Sequence, residues 1–270
     1  MSAASSSADT RRYLLELYSA NYVNRKRGLA EVIRAIDVGL LVDGYKELRE
    51  TAPSRHSKNL SYLITNHDGV PSTGAATTRR EEHLALALWN DQSGGFDLPD
   101  GSSLQLIDYQ VPLKSQRSDS GIGKLDLLGV VDAHVCVVEL KVAAHRGNSD
   151  TPLRAFLEAL AYCAIVEANI ADIGSELGGK HGICNVADKP SLMVIAPDDY
   201  WVGWQQTEIT GDWWVALRKL ASELQPLLGL QSRFLALHEA KFELGLNGTK
   251  PRLLSECSVT DIDDLVAGNE

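Results

Sequence analysis

Gly123-Lys124-Leu125-Asp126-Leu127-Leu128-Gly129-Val130-Val131-Asp132-Ala133-His134-Val135-Cys136-Val137-Val138-Glu139-Leu140-Lys141-Val142 holds two apolar runs on either side of a short polar break. That pattern predicts a β-hairpin. Charged residues rarely sit inside strands without partners, yet Asp126, Glu139 and Lys141 all lie within these runs. Side chains alternate between the faces of a strand, so Glu139 and Lys141 share one face and Val138, Leu140 and Val142 take the other. A turn made of Asp132-Ala133 sets Val131 opposite His134, and counting back sets Asp126 opposite Glu139. A four-residue loop from Val131 to His134 gives the same register. Opposed residues have Cβ atoms about 4.5–5.5 Å apart, so one face would carry Asp126, Glu139 and Lys141 together. Carboxylates that close repel unless a proton or a cation lies between them. Hard divalent cations such as Mg2+ take oxygen ligands of this kind, and a lysine beside them is suited to orient or help deprotonate a metal-bound water. The plain alternative is an ion pair on a solvated strand face.

An Asp, about a dozen residues, then Glu-x-Lys on a hairpin resembles the PD-(D/E)xK nuclease superfamily; here the motif reads Asp126, then Glu139-Leu140-Lys141. The proline that gives the superfamily its name is absent, since Leu125 precedes Asp126. The resemblance covers residues 77–201. It implies an α/β fold with a restriction-endonuclease-like core, in which a mixed central β-sheet is flanked by helices. It also implies that Asp126, Glu139 and the backbone carbonyl of Leu140 hold Mg2+ or Mn2+, with Lys141 positioning the attacking water. In that superfamily the helix before the hairpin often supplies a third acidic residue. Glu81 fits that place, and Glu82, about 100° further round the helix, is the second choice. Both also suit an ordinary first helical turn, where the helix dipole favours acids.

The rest of the chain agrees with this order. A break at 71–74 precedes a helix over 79–90, capped by Thr77 or Thr78, with Leu84, Ala85 and Leu88 on its buried stripe. Residues 104–113 alternate as a strand with Leu104, Leu106, Asp108 and Gln110 on one face. Thr151-Pro152 opens a long apolar helix as cap and first residue, and 191–196 is a continuous apolar run expected of a buried strand. Strand, helix and buried strand make a crossover, hence a parallel pair within a mixed sheet. Asp212 is placed to cap a helix over 213–228, and Asn247-Gly248 suggests a further hairpin. Trp201, Trp204, Trp213 and Trp214 read as core aromatics rather than platforms for bases. Upstream, 10–19 and 29–42 show helical spacing around a basic cluster, Arg25-Lys26-Arg27, which is either solvated or set to touch phosphates. The expected organisation is a disordered 1–10, a helical N-terminal region over 11–74, a nuclease-like core over 75–254 and an acidic tail over 255–270.

Composition sets outer bounds. Hydrophobic content of 44% over 270 residues suits a globular protein with a sizeable core. No apolar run approaches the length of a membrane helix. Cys136, Cys163, Cys184 and Cys257 are scattered without CxxC spacing, which points away from disulfides and zinc and toward a reducing cytoplasm. There is no phosphate loop, dinucleotide fingerprint, HExxH or GxSxG. A net charge of −10 opposes a nucleic-acid partner unless a local basic face offsets it. The expected function is a divalent-metal-dependent nuclease acting on nucleic acid, DNA before RNA, possible as a homodimer and with no membrane partner. Arg117, His145 and Arg146 flank the hairpin and are candidates for touching substrate. The competing expectation is a non-catalytic binding or interaction module on the same fold, with a structural acid and lysine cluster.

Overall fold

The computed structural model describes residues 13–64, 67–71, 79–91, 95–143, 149–246 and 248–267. The chain opens with helices α1 (Tyr13–Ser19), α2 (Leu29–Arg34) and α3 (Val38–Glu50). The helix expected over 29–42 breaks at 35–37. There Asp37 turns to an extended conformation and its carboxylate accepts the Leu40 N–H at 3.0 Å, which caps a new helix. Helix α4 (Arg80–Asp91) precedes β1 (Phe96–Asp97), β2 (Ser103–Pro112), β3 (Lys124–Val131) and β4 (His134–Leu140). Then follow α5 (Pro152–Ala168), α6 (Ile170–His181), β5 (Ser191–Pro197), α7 (Asp198–Val202), α8 (Thr207–Thr210), α9 (Trp213–Leu228) and β6 (Ser232–His238). The chain ends with β7 (Phe242–Glu243), β8 (Arg252–Leu253), β9 (Ser258–Asp261) and α10 (Ile262–Ala267). The proposed caps Thr77 and Thr78 lie outside the described residues.

Seven strands form one mixed sheet in the order β1-β2-β3-β4-β5-β6-β9. β1 to β4 are antiparallel, β4, β5 and β6 run parallel, and β9 closes the edge antiparallel to β6. This is an α/β architecture: the parallel pair β4–β5 is made by the expected crossover through α5, continued by α6, and the pair β5–β6 by a second crossover that includes α9. β4 lies fourth of seven, so neighbours cover both its edges and helices cover both its faces, which accounts for its near-continuous apolar sequence. Val135, Val137, Leu192 and Val194 point into one apolar layer with α1, α3, α5 and α9. Cys136, Val138, Leu140, Met193 and Ile195 point into the other, with α4. All four candidate tryptophans are buried in the first layer. The sheet continues past residue 254, because β9 lies within the acidic 255–270 stretch. β7 and β8 pair as a separate ribbon around Gly248, while Asn247 lies outside the described residues.

The simple alternation expected along β2 fails. Its register with β3 shifts between Leu106 and Asp108, and Gln110 takes a positive φ of 49°. Leu104, Leu106 and Tyr109 join one layer, whereas Ile107, Val111 and Leu113 join the other. Bulges of this kind bend a strand and re-aim its side chains. Among the described residues, no helix is long and apolar enough to cross a membrane.

The β3–β4 turn is the two-residue loop Asp132-Ala133, with φ values of 47° and 67°. Both lie in the left-handed region required by a type I′ turn. Alanine there is strained by its Cβ, so Ala133→Gly should raise stability by about 1 kcal/mol. Urea denaturation measures this, and a loss of stability would mean that the turn is of another kind.

Candidate active site

The hairpin pairs Val131 with His134 and runs back to Leu127 with Val138. One step further, Asp126 faces Glu139, the register that the two-residue turn demands. The ladder's last pair is Leu127 with Val138, and beyond it the Asp126 carboxylate takes the place of a strand carbonyl. Its Oδ2 accepts the Leu140 N–H at 3.0 Å, and its Oδ1 accepts Gln110 Nε2 at 3.1 Å. Gln110 reaches Asp126 from the irregular part of β2, so the distortion of that strand is tied to the site.

Lys141 follows β4 on the face of Val135 and Val137, where α5 packs. Its Nζ stands 2.6 Å from Glu139, 3.5 Å from Glu158 on α5, 3.8 Å from Glu81 on α4 and 3.8 Å from Asp150 just before α5. Side-chain exposure rises outward from the lysine: 3% for Lys141, 4% for Glu139, 17% for Glu158, 26% for Asp150 and 38% for Glu81. The Lys141–Glu139 pair is thus the floor of an acidic cleft, and Glu158, Asp150 and Glu81 rise toward solvent. With Asp126, five carboxylates surround one ammonium.

Burial and mutual repulsion govern the charges. Loss of hydration pushes the Asp126 carboxyl up to about 7, against the attraction of Lys141. Burial first, and repulsion from Glu158 and Asp126 after it, push Glu139 well above the usual carboxylate range. Glu81 is raised as well, mainly by desolvation of the part of its side chain that protein covers. Desolvation works against the Lys141 charge, but Glu139, Glu81, Glu158 and Asp126 together hold its pKa well above the ordinary lysine value. Lys141 is therefore an ammonium at neutral pH.

Aromatic hydroxyls and the N-terminal helices brace this cleft. Tyr162 Oη donates to Glu158 Oε1 at 3.0 Å, one helical turn along α5. Gly123 makes room for it, since a Cβ there would stand 2.3 Å from Tyr162 Oη. Tyr18 of α1 packs edge-on against Tyr162 and donates to the Gly121 carbonyl. Asn24 Nδ2 donates to Asp150 Oδ1 at 2.9 Å, as does Arg154 Nη1 at 2.9 Å.

Asp126, Glu139, Lys141 and Glu81 are brought together. Glu82 turns elsewhere and pairs with Arg79 at 3.4 Å, so Glu81 is the α4 residue that reaches the cluster. Leu140 joins through its N–H, and Arg117 is exposed on the loop between β2 and β3. His145 and Arg146 lie outside the described residues. The sequence reading missed Glu158, Asp150 and Tyr162. A signal was present: α5 is buried nearly throughout, yet Arg154 and Glu158 sit one turn apart in it and Tyr162 one turn further, a spacing that shares one face. Among the described residues, no three His, Cys, Asp or Glu side chains are arranged to hold a metal ion; Lys141 stands between the carboxylates. Comparison with family models, with curated proteins and with solved structures finds no match for the chain.

A carboxyl whose pKa is raised in the folded state binds a proton that the unfolded chain has released. Stability then falls as pH rises, here from the ordinary Asp value of about 4 to about 7 for Asp126. In EDTA, Asp126→Asn should be more stable than wild type at pH 8, and the advantage should vanish near pH 4. A flip of the Gln110 amide lets the new side chain keep both hydrogen bonds. Thermal melts across this range check the expectation, and a variant less stable than wild type at pH 8 would contradict it.

Proposed function

We propose that the chain is a divalent-metal-dependent nuclease that hydrolyses phosphodiester bonds in nucleic acid, DNA before RNA, on a core similar to the PD-(D/E)xK superfamily. The observation that carries this reading is the convergence of Asp126, Glu139 and Glu81 from three elements on Lys141, at the carboxyl ends of the parallel strands β4 and β5. Ligands of open α/β sheets bind at such ends. The donor set fits Mg2+ or Mn2+ in kind, since every candidate ligand is a hard oxygen. The grouping supports it too: five carboxyl groups gather around one ammonium, and a divalent cation would relieve the repulsion and burial that oppose their ionisation.

When bound, such a metal supplies charge neutralisation at the phosphate and an acidified water. Asp126, already fixed by Gln110 and Leu140, and Glu139 would hold it, with the Leu140 carbonyl on the same strand. Glu81 lies on the open side, where it can approach a ligand without dismantling the floor. Lys141, as an ammonium, donates hydrogen bonds, so its part is to orient the attacking water and steady the negative charge that grows on the phosphoryl oxygens. Hydrolysis adds the water oxygen to phosphorus and breaks the bond to one ester oxygen. The scattered free cysteines suit a reducing, cytoplasmic setting.

The 2.6 Å pairing of Lys141 with Glu139 also suits the second reading, a non-catalytic binding module with a structural acid and lysine cluster. The two readings separate on metal. A ligand bound only by the folded state stabilises by roughly 2.7 kcal/mol at a hundredfold excess over its Kd. Mg2+ or Mn2+ should therefore raise the Tm of wild type, and Asp126→Asn and Glu139→Gln should each remove the rise. Lys141→Met should keep the rise, because its carboxylates remain, while metal-dependent cleavage of mixed DNA and RNA substrates is lost. A wild type with neither a metal-dependent shift nor cleavage would leave the binding module as the reading.

A further inference from the structure

We propose that the turn Arg25-Lys26-Arg27 is a phosphate-backbone contact at the rim of the acidic cleft, which holds the nucleic-acid strand whose phosphate enters the site. This inference rests on the nuclease reading for what lies in the cleft, but its own basis is the placement of the turn. Asn24, the residue before the turn, donates to Asp150 at 2.9 Å and accepts the Thr151 N–H at 2.8 Å. The Thr151 hydroxyl in turn donates to the Val23 carbonyl at 2.6 Å. Asp150 is the same carboxylate that stands 3.8 Å from Lys141. One side chain therefore separates the anchor of the basic turn from the floor of the cleft.

The far side of the turn is fixed as well. Lys26 Nζ donates to the Gly203 carbonyl at 2.9 Å and lies 5.5 Å over the Trp204 ring. The Gly28 N–H donates to the Ile209 carbonyl at 2.8 Å, with a positive φ of 69° at Gly28 that any side chain would strain. Asn24 and Lys26 are thus engaged with the protein. Arg25 and Arg27, which alternate with them, are exposed. Among the described residues, neither guanidinium has an ion-pair partner. Arg154 is 31% exposed and pairs with Asp150, which adds a third guanidinium between the turn and the cleft.

Charge makes this placement informative. The chain carries a net −10 and the cleft is acidic, so a polyanion is repelled everywhere except where cations are concentrated. A nuclease with such a cleft needs a basic rim to bring the backbone near, and the guanidinium fork suits phosphate. Pinning the turn from both sides lowers the entropy lost when Arg25 and Arg27 engage a ligand.

The test compares wild type with the double variant Arg25→Gln, Arg27→Gln and with its conservative counterpart Arg25→Lys, Arg27→Lys. Binding of a fluorescein-labelled DNA duplex is followed by anisotropy in EDTA across a salt series, and cleavage is followed in Mn2+. Each phosphate contact contributes about 0.9 to the slope of log K against log salt for duplex DNA. The Gln pair should lower that slope by about 1.8 and raise KM about tenfold with kcat within about twofold, and the Lys pair should restore the slope. Unchanged slope and KM in the Gln pair, with an unchanged Tm, would overturn the proposal. If wild type binds the duplex through these arginines but cleaves nothing, the nuclease reading falls and the basic rim stands. If wild type neither binds nor cleaves, both fall.

Discussion

A buried ammonium constrains everything around it. Lys141 sits with 3% of its side chain exposed at the end of the central strand, where the desolvation of a lone charge would cost several kcal/mol. The chain meets that cost with Glu139 in direct contact and with Glu158, Glu81 and Asp150 within 4 Å. These acids come from α4, from β4 and from both the approach to α5 and α5 itself. Helix positions on both faces of the sheet are therefore coupled to one nitrogen atom. The N-terminal helices enter the same system, since Asn24 and Tyr18 brace Asp150 and Tyr162, and α1 and α3 share the apolar layer of α5.

The cluster gathers more carboxyl groups than one lysine could balance were all of them ionised, and burial raises the pKa of Asp126, Glu139 and Glu81 against that outcome. A purely structural ion pair would need only one carboxylate, whereas here Asp126 is held by two hydrogen bonds beside Glu139. Such an arrangement keeps acids together that would separate if free to do so. Side-chain exposure increases from Glu139 outward to Asp150 and Glu81. The basic turn at 25–27 is joined to the cluster through Asn24 and Asp150.

The hairpin was legible because strand rules are local. Alternation of side chains and a two-residue turn fix which residues share a face, and a slip of one residue would have sent Asp126 away from Glu139. The long helix after Thr151, the buried strand at 191–197 and the crossover between them follow from similarly short-range patterns. Where an element's course depends on a local competition, the reading failed. The stripe over 29–42 continues in sequence, but the Asp37 side chain caps a new helix and divides it. The bulged course of β2 left no mark in its alternation.

By itself, then, the sequence determined the central strands, their register and the trio Asp126, Glu139 and Lys141, because each depends on residues that are near in sequence or paired through a tight turn. Only the tertiary structure decided the rest of the cleft. Glu81 rather than Glu82, Glu158 turned toward Lys141, Asp150 beside Asn24, and a basic turn pinned between Asp150 and Gly203 all depend on how helices rotate and dock against the sheet. Helix packing angles and rotations are set by the fit of whole apolar surfaces, which no single stretch of sequence contains.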